Sequence, residues 1–188
     1  MKQFIKKLLN ESLLSNINKE MFFKQNNIDP EKLSYLGSGD FGKAYSIGDG
    51  RVLKITSSTN EFNLAKELIG KNNLPVLDGI VDFYAADIVD GEKMIIMEEL
   101  FEKSNIDDLF YELQTMLEEQ GLPIQYLDYL DTDGHDVSEE LLNFIGDIYD
   151  INRAYRYLGV EASDIKPENL GIDKNGKIKA FDIDDKRR

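Results

Sequence analysis

The chain has 188 residues, of which 41% are hydrophobic and 31% charged, an ordinary balance for a globular protein of one domain or two small lobes. It has no cysteine and one histidine, His135. This excludes a disulfide scaffold, thiol catalysis, cysteine-held zinc or iron–sulfur, and two-histidine metal sites. No apolar run of about 18 residues occurs, so no membrane span is expected.

The net charge of −14 is unevenly spread. Residues 1–76 hold 11 basic and 8 acidic groups, residues 77–150 hold 2 and 21, and residues 151–188 hold 9 and 7. General nucleic-acid binding needs a basic surface that displaces counterions, so it is not expected. An acidic middle suits a basic protein partner or peptide, mimicry of a nucleic acid's charge, or a solvated face. The opening Met1-Lys2-Gln3-Phe4-Ile5-Lys6-Lys7 lacks the apolar core and cleavage site of a secretory signal. The compact, cysteine-free composition leads to the expectation of a cytoplasmic setting.

Along the chain, Phe4, Ile5, Leu8, Leu9, Leu13, Ile17 and Met21 are spaced for one helical face, which predicts an amphipathic helical extension over 1–30 packed on the body of the protein. Asp29-Pro30 breaks that pattern. Short alternating runs follow: 33–36, 43–47 and 51–55, with Gly48-Asp49-Gly50 as a hairpin turn between the last two. Residues 59–71 predict a helix with Phe62, Leu64, Ala65, Leu68 and Ile69 inward. Strands are expected over 80–88 and 93–97 around the turn Asp90-Gly91, then helices over 107–120 and 138–158, the latter opening like a capped helix at Ser138. Short strands at 170–172 and 177–181 flank the turn Asp173-Lys174-Asn175-Gly176. The tyrosines at 126, 129, 149, 155 and 157 are expected to pack between helices, and the acidic loop around His135 to be solvated rather than a calcium loop.

Three motifs carry chemistry. Gly37-Ser38-Gly39-Asp40-Phe41-Gly42 fits G-x-G-x-x-G. A dinucleotide fingerprint needs a helix straight after the glycines, whereas strand, turn and strand follow here, which predicts a hairpin whose tip can close over phosphates. Twelve residues past Gly42, Lys54 lies in the apolar strand Val52-Leu53-Lys54-Ile55. An ammonium buried there invites an anion, so Lys54 is assigned to nucleotide phosphates, with Glu61 or Glu67 of the next helix as its carboxylate partner. Third, Asp164-Ile165-Lys166-Pro167-Glu168-Asn169 reads D-x-K-P-x-N, with Asp182 thirteen residues beyond Asn169. Phosphoryl transfer needs a carboxylate that accepts the nucleophile's proton and oxygen ligands for magnesium. Asp164 suits the base, Lys166 the transferring phosphate, and Asn169 with Asp182 the metal.

These motifs together resemble the protein kinase-like superfamily, and D-x-K-P-x-N resembles the serine/threonine protein kinases. The resemblance runs from about Leu36 to Asp184. It implies an α+β, bilobal, protein kinase-like fold: residues 31–100 as an N-lobe with an antiparallel sheet and one helix, and residues 101–188 as a reduced, mainly helical C-lobe. It implies ATP and Mg2+ as ligands, Gly37, Gly39, Phe41, Gly42 and Val52 around the nucleotide, Met97 as gatekeeper, and the Glu98 carbonyl and Leu100 amide facing adenine. Departures are plain. Ala162-Ser163-Asp164 stands where the family has His-Arg-Asp, and Asp182-Ile183-Asp184 where it has Asp-Phe-Gly, so Asp184 becomes a further metal candidate. Six residues follow Asp182, so the family's activation segment and later helices are not in this sequence, and both a minimal kinase and a truncated longer one are open readings. Two other readings stay open: a pseudokinase-type module that docks a partner through its acidic face, and a small-molecule phosphotransferase of the aminoglycoside type.

Overall fold

The computed structural model describes residues 18–133, 135–162, 165–181 and 183. They form an α+β protein whose chain divides into two compact units, one holding the residues up to Ile69 with Phe83–Met97, the other Gly70–Asp82 with the residues from Glu98 onward. No helix among the described residues is long and apolar enough to cross a membrane.

The first unit is a five-stranded sheet: β1 (Ser34–Gly39), β2 (Gly42–Ser46), β3 (Arg51–Thr56), β4 (Phe83–Val89) and β5 (Glu92–Glu98), in the order β1-β2-β3-β5-β4. The β1–β2, β2–β3 and β4–β5 pairings are antiparallel. Its turns follow from residues that tolerate left-handed backbone. Asp90 and Gly91 both have positive φ (55° and 84°), the combination that a two-residue turn needs to match strand twist. Gly48 and Gly50 do the same between β2 and β3.

Pleating gives this sheet two faces. Leu53, Met94 and Ile96 point to one, where Phe22 of the helix at 18–25 (α1) and Ile28 join them in a single apolar core. Val52, Lys54 and Thr56 alternate onto the other, the side that holds Glu61 of α2 (Thr59–Leu68). Met21 was expected on the buried side of the first helix, but it is exposed and Phe22 takes that place. The positions expected before it, Phe4 to Ile17, lie outside the described residues. Helix α2 stops at Leu68; Ile69 is its half-exposed cap rather than a core residue, because the chain turns away at Gly70 (φ 80°).

In the second unit, α3 (Ile106–Glu119) and α4 (Glu139–Leu158) bury Phe110 against Phe144 edge-to-face, with ring centroids 6.4 Å apart. The Ser138 hydroxyl caps α4 by accepting from the Leu141 amide at 3.1 Å. Gly159 (φ 69°) ends it, with its amide on the Arg156 carbonyl and the Val160 amide on the Tyr155 carbonyl, the paired bonds of a Schellman cap. Of the five tyrosines expected to pack between helices only Tyr155 is buried; Tyr126, Tyr129, Tyr149 and Tyr157 lie on the surface.

The short ribbon β6 (Leu170–Ile172) and β7 (Ile178–Ala180) would be marginal alone. Here both edges are covered, by Phe101 bonded twice to Ile172 and by Gly79 and Val81 bonded to Ala180. The expected strand over 80–88 is therefore divided: it begins at Phe83, and Ile80 serves the ribbon instead. Gly79 is required there, since a Cβ would sit 2.3 Å from the Ile151 amide nitrogen of α4.

Candidate functional site

The glycine motif is a tight hairpin. Gly39 and Gly42 pair across the two-residue turn Asp40-Phe41, and a strand follows, so the dinucleotide-fold alternative does not apply. The three glycines are not there for positive φ. Gly37 and Gly39 face open space, while a Cβ on Gly42 would fall 2.0 Å from the Ile55 carbonyl oxygen of β3. Gly42 thus lets β2 close onto β3. The turn is tied down through the Phe41 carbonyl, which accepts from the Ser57 amide (2.6 Å) and the Ser57 hydroxyl (3.1 Å). The Phe41 ring itself is exposed.

One strand further, Val52 is buried and Lys54 lies opposite Ala44 of β2. The Lys54 ammonium forms an ion pair with Glu61 Oε1, with side chains only 15% and 6% exposed. This decides between the two glutamates: Glu61 is the partner, and Glu67 lies on the exposed side of α2. Glu61 Oε2 accepts from the Thr56 hydroxyl at 2.8 Å. Thr56 was not among the residues singled out from the sequence. Its signal was there, a hydroxyl at the end of the lysine strand, two residues before the Ser58 that caps α2.

Met97 is buried at the end of β5, paired with Phe83. In the second unit, Glu98 donates its amide to the Asp82 carbonyl (2.8 Å), and its carboxylate takes the Lys179 ammonium at 2.7 Å. Leu100 packs on Gly171, where a Cβ would approach the Leu100 Cβ to 2.7 Å. Lys179 lies 4.0 Å from Asp173, whose own carboxylate closes the ribbon turn by accepting from the amides of Asn175 (2.8 Å) and Lys177 (2.9 Å). Burial works to raise the Asp173 carboxyl, yet these bonds prevail and hold it below the usual carboxylate range. For the nearby Asp82 burial wins, and it raises the carboxyl despite Lys179.

Within the D-x-K-P-x-N motif, Lys166 to Asn169 form a turn held by its own backbone, with the Asn169 amide on the Lys166 carbonyl at 2.9 Å. Pro167 opens a single 3-10 turn that ends at Asn169, which is buried. The Asn169 carbonyl accepts from the Phe181 amide at 3.0 Å, so this segment is fastened to the residue directly before Asp182. Lys166 pairs with Glu168 at 3.0 Å on the surface, an arrangement that stabilises little and that a stronger anion can displace. The Glu168 backbone amide, more than Lys166, holds that carboxyl below its ordinary value. Asp164, Asp182 and Asp184 lie outside the described residues. Among the described residues no cluster of acidic or histidine side chains forms a metal site.

Compared with models of known protein families and with curated proteins, the chain matches none.

Proposed function

We propose that the chain is an ATP- and magnesium-dependent phosphotransferase of protein kinase-like fold that acts on a protein serine or threonine hydroxyl. The observation that carries this reading is the Lys54–Glu61 ion pair, buried on one sheet face beside a glycine hairpin. A lysine in a sheet interior needs a reason, and a phosphate is the anion this set of neighbours suits. Support also comes from the D-x-K-P-x-N turn, whose backbone bond to Phe181 ties Asn169 to the segment that carries Asp182.

By residue type alone the set suits these ligands: lysines for phosphate oxygens, and an amide with carboxylates for a hard cation. Lys54, held by Glu61, takes the non-transferred phosphates, and the amides of the Gly37–Gly42 hairpin close over them. Asp164 accepts the proton of the acceptor hydroxyl as its oxygen bonds to the γ-phosphorus and the bond to ADP breaks. Lys166 neutralises the charge on the moving phosphoryl group. Asn169 and Asp182, with Asp184 as a further candidate, would supply oxygen ligands for Mg2+, which when bound would offset charge on the phosphates. The exposed acids of α3 and its C-terminal end, among them Asp107, Asp108, Glu112, Glu118 and Glu119, favour a basic protein as acceptor.

The test is label transfer from γ-labelled ATP with Mg2+ to proteins of a lysate, with Asp164→Asn and Asp182→Asn alongside. Labelled bands that vanish in both variants are the expected result. ATP binding without transfer would replace this reading by a docking module, and transfer only to small amino or hydroxyl compounds by the aminoglycoside-type reading.

A further inference from the structure

Helix α2 begins with Ser58-Thr59-Asn60-Glu61, a sequence that normally closes a capping box. In such a box the serine hydroxyl accepts from the glutamate amide, and the glutamate carboxylate reaches back to the serine amide. Only the first half forms here: Ser58 Oγ accepts from the Glu61 amide at 3.1 Å. The Ser58 amide donates instead to the Thr56 hydroxyl oxygen, at 3.0 Å. That hydroxyl gives its own proton to Glu61 Oε2 at 2.8 Å, and Glu61 Oε1 is left to Lys54. Thr56 thus occupies the place the glutamate would take at the helix start and at the same time holds the displaced carboxylate. Thr56 and Glu61 are both buried.

We infer that Thr56 is a positioning residue: it keeps Glu61 out of the capping box and directed at Lys54. The importance of this for catalysis rests on the phosphotransferase reading; the arrangement itself does not. A purely structural role is distinguishable, because loss of the hydroxyl lets Glu61 close the box it is spaced to make. Helix α2 then keeps its cap while Lys54 loses the Glu61 carboxylate. The hairpin tip stays anchored, since the Phe41 carbonyl, 3.2 Å from the Thr56 hydroxyl, keeps both bonds from Ser57.

The test compares Thr56→Val and Thr56→Ser in the full chain. The readout is the rate at which an acylating reagent labels Lys54 at pH 7.5, followed by mass spectrometry without nucleotide. A buried lysine that loses one carboxylate neighbour releases its proton more readily, and a tenfold weaker hold on that proton gives about tenfold more reactive amine. Labelling about tenfold faster in Thr56→Val, restored by Thr56→Ser, with a thermal midpoint close to wild type, is expected. Lys54 labelling at the wild-type rate in a folded Thr56→Val overturns the inference. Should that variant fail to fold, Thr56→Ala carries the same comparison. ATP binding is measured in parallel: a wild type that binds none overturns the phosphotransferase reading and leaves the assignment of Thr56 to the labelling result.

Discussion

Lys54 of β3 and Glu61 in the first turn of α2 are seven residues apart in sequence and share a buried ion pair on one face of the sheet. Removing one member of such a buried pair costs about 3–5 kcal/mol. Glu61→Gln should therefore lower stability by about 3 kcal/mol in urea unfolding. The double variant Lys54→Met with Glu61→Leu should recover most of that, because an apolar pair of similar volume replaces the ions. Thr56 keeps the Phe41 carbonyl as an acceptor in that background. Phosphoryl transfer should fall by about 10²-fold or more in both variants. Recovery of stability without recovery of transfer would separate the pair's chemical role from its structural one.

Gly42 and Gly39 offer a contrast within one motif. At Gly42 the obstruction is a backbone carbonyl that cannot move without displacing β3 from β2. Gly42→Ala should cost several kcal/mol, with early hydrogen exchange of the β2–β3 amides as its mark. Gly39→Ala meets nothing within 4 Å and has no positive φ to strain it. Its stability should stay within about 0.5 kcal/mol of wild type. ATP affinity should nevertheless fall in Gly39→Ala if backbone amides at the hairpin approach phosphate closely. Unchanged affinity would show that the hairpin is a plain turn.

Asp82 supplies a pH dependence. Burial is the main cause that raises its carboxyl, with Lys179 opposing and Glu98 adding to the rise. A carboxyl raised on folding binds its proton more tightly in the native state, so its ionisation disfavours folding. That penalty is complete above the native value and disappears as pH falls through the unfolded value near 3.8. Asp82→Asn should accordingly be more stable than wild type at pH 7, and the two should converge below about pH 4. Asp147 of α4 is also raised, chiefly by burial against the bond it accepts from the Ile178 amide. Asp147→Asn keeps an acceptor for that amide and should behave the same way. A gap between variant and wild type that persists at about pH 3.5 would mean that packing rather than ionisation is responsible.

How far the sequence discloses this structure depends on the range over which its signals act. Turn residues and caps are local, and Asp90-Gly91, Gly48-Asp49-Gly50 and Ser138 lie where their chemistry requires. Periodicity marks the inward residues of α2, but the helix's limit at Leu68 depends on Gly70 and falls a few residues short of the expected end. The choice between Phe22 and Met21 as the anchor of α1 is made by the sheet it meets, which no helical spacing encodes. The same holds for Ile80, apolar like its neighbours yet bridged to Ala180, one hundred residues later in the chain. Lys54 was legible because a charge inside an apolar strand stands out. Thr56 was not, because a threonine at the end of a strand is ordinary there.

Lys179 illustrates the same limit and carries a final prediction. In Ile178-Lys179-Ala180 it stands between two buried apolar residues, and its ammonium is buried on Glu98 and close to Asp173. Glu98 lies 81 residues away, so only the folded second unit brings the two together. Lys179→Met preserves the apolar stem but leaves two carboxylates buried beside a third, Asp82, that burial already raises. It should therefore destabilise the protein by about 3 kcal/mol, in the range found for breaking a buried pair. Adding Glu98→Gln should return a substantial part of the loss, since the neutral amide keeps an oxygen for the Asp82 amide now 3.3 Å from Glu98 Oε2. A double-variant cycle in urea measures the coupling directly. Strict additivity of the two substitutions would mean that Lys179 and Glu98 do not stabilise each other, and that the bonds between Glu98 and Asp82 hold Glu98 in place.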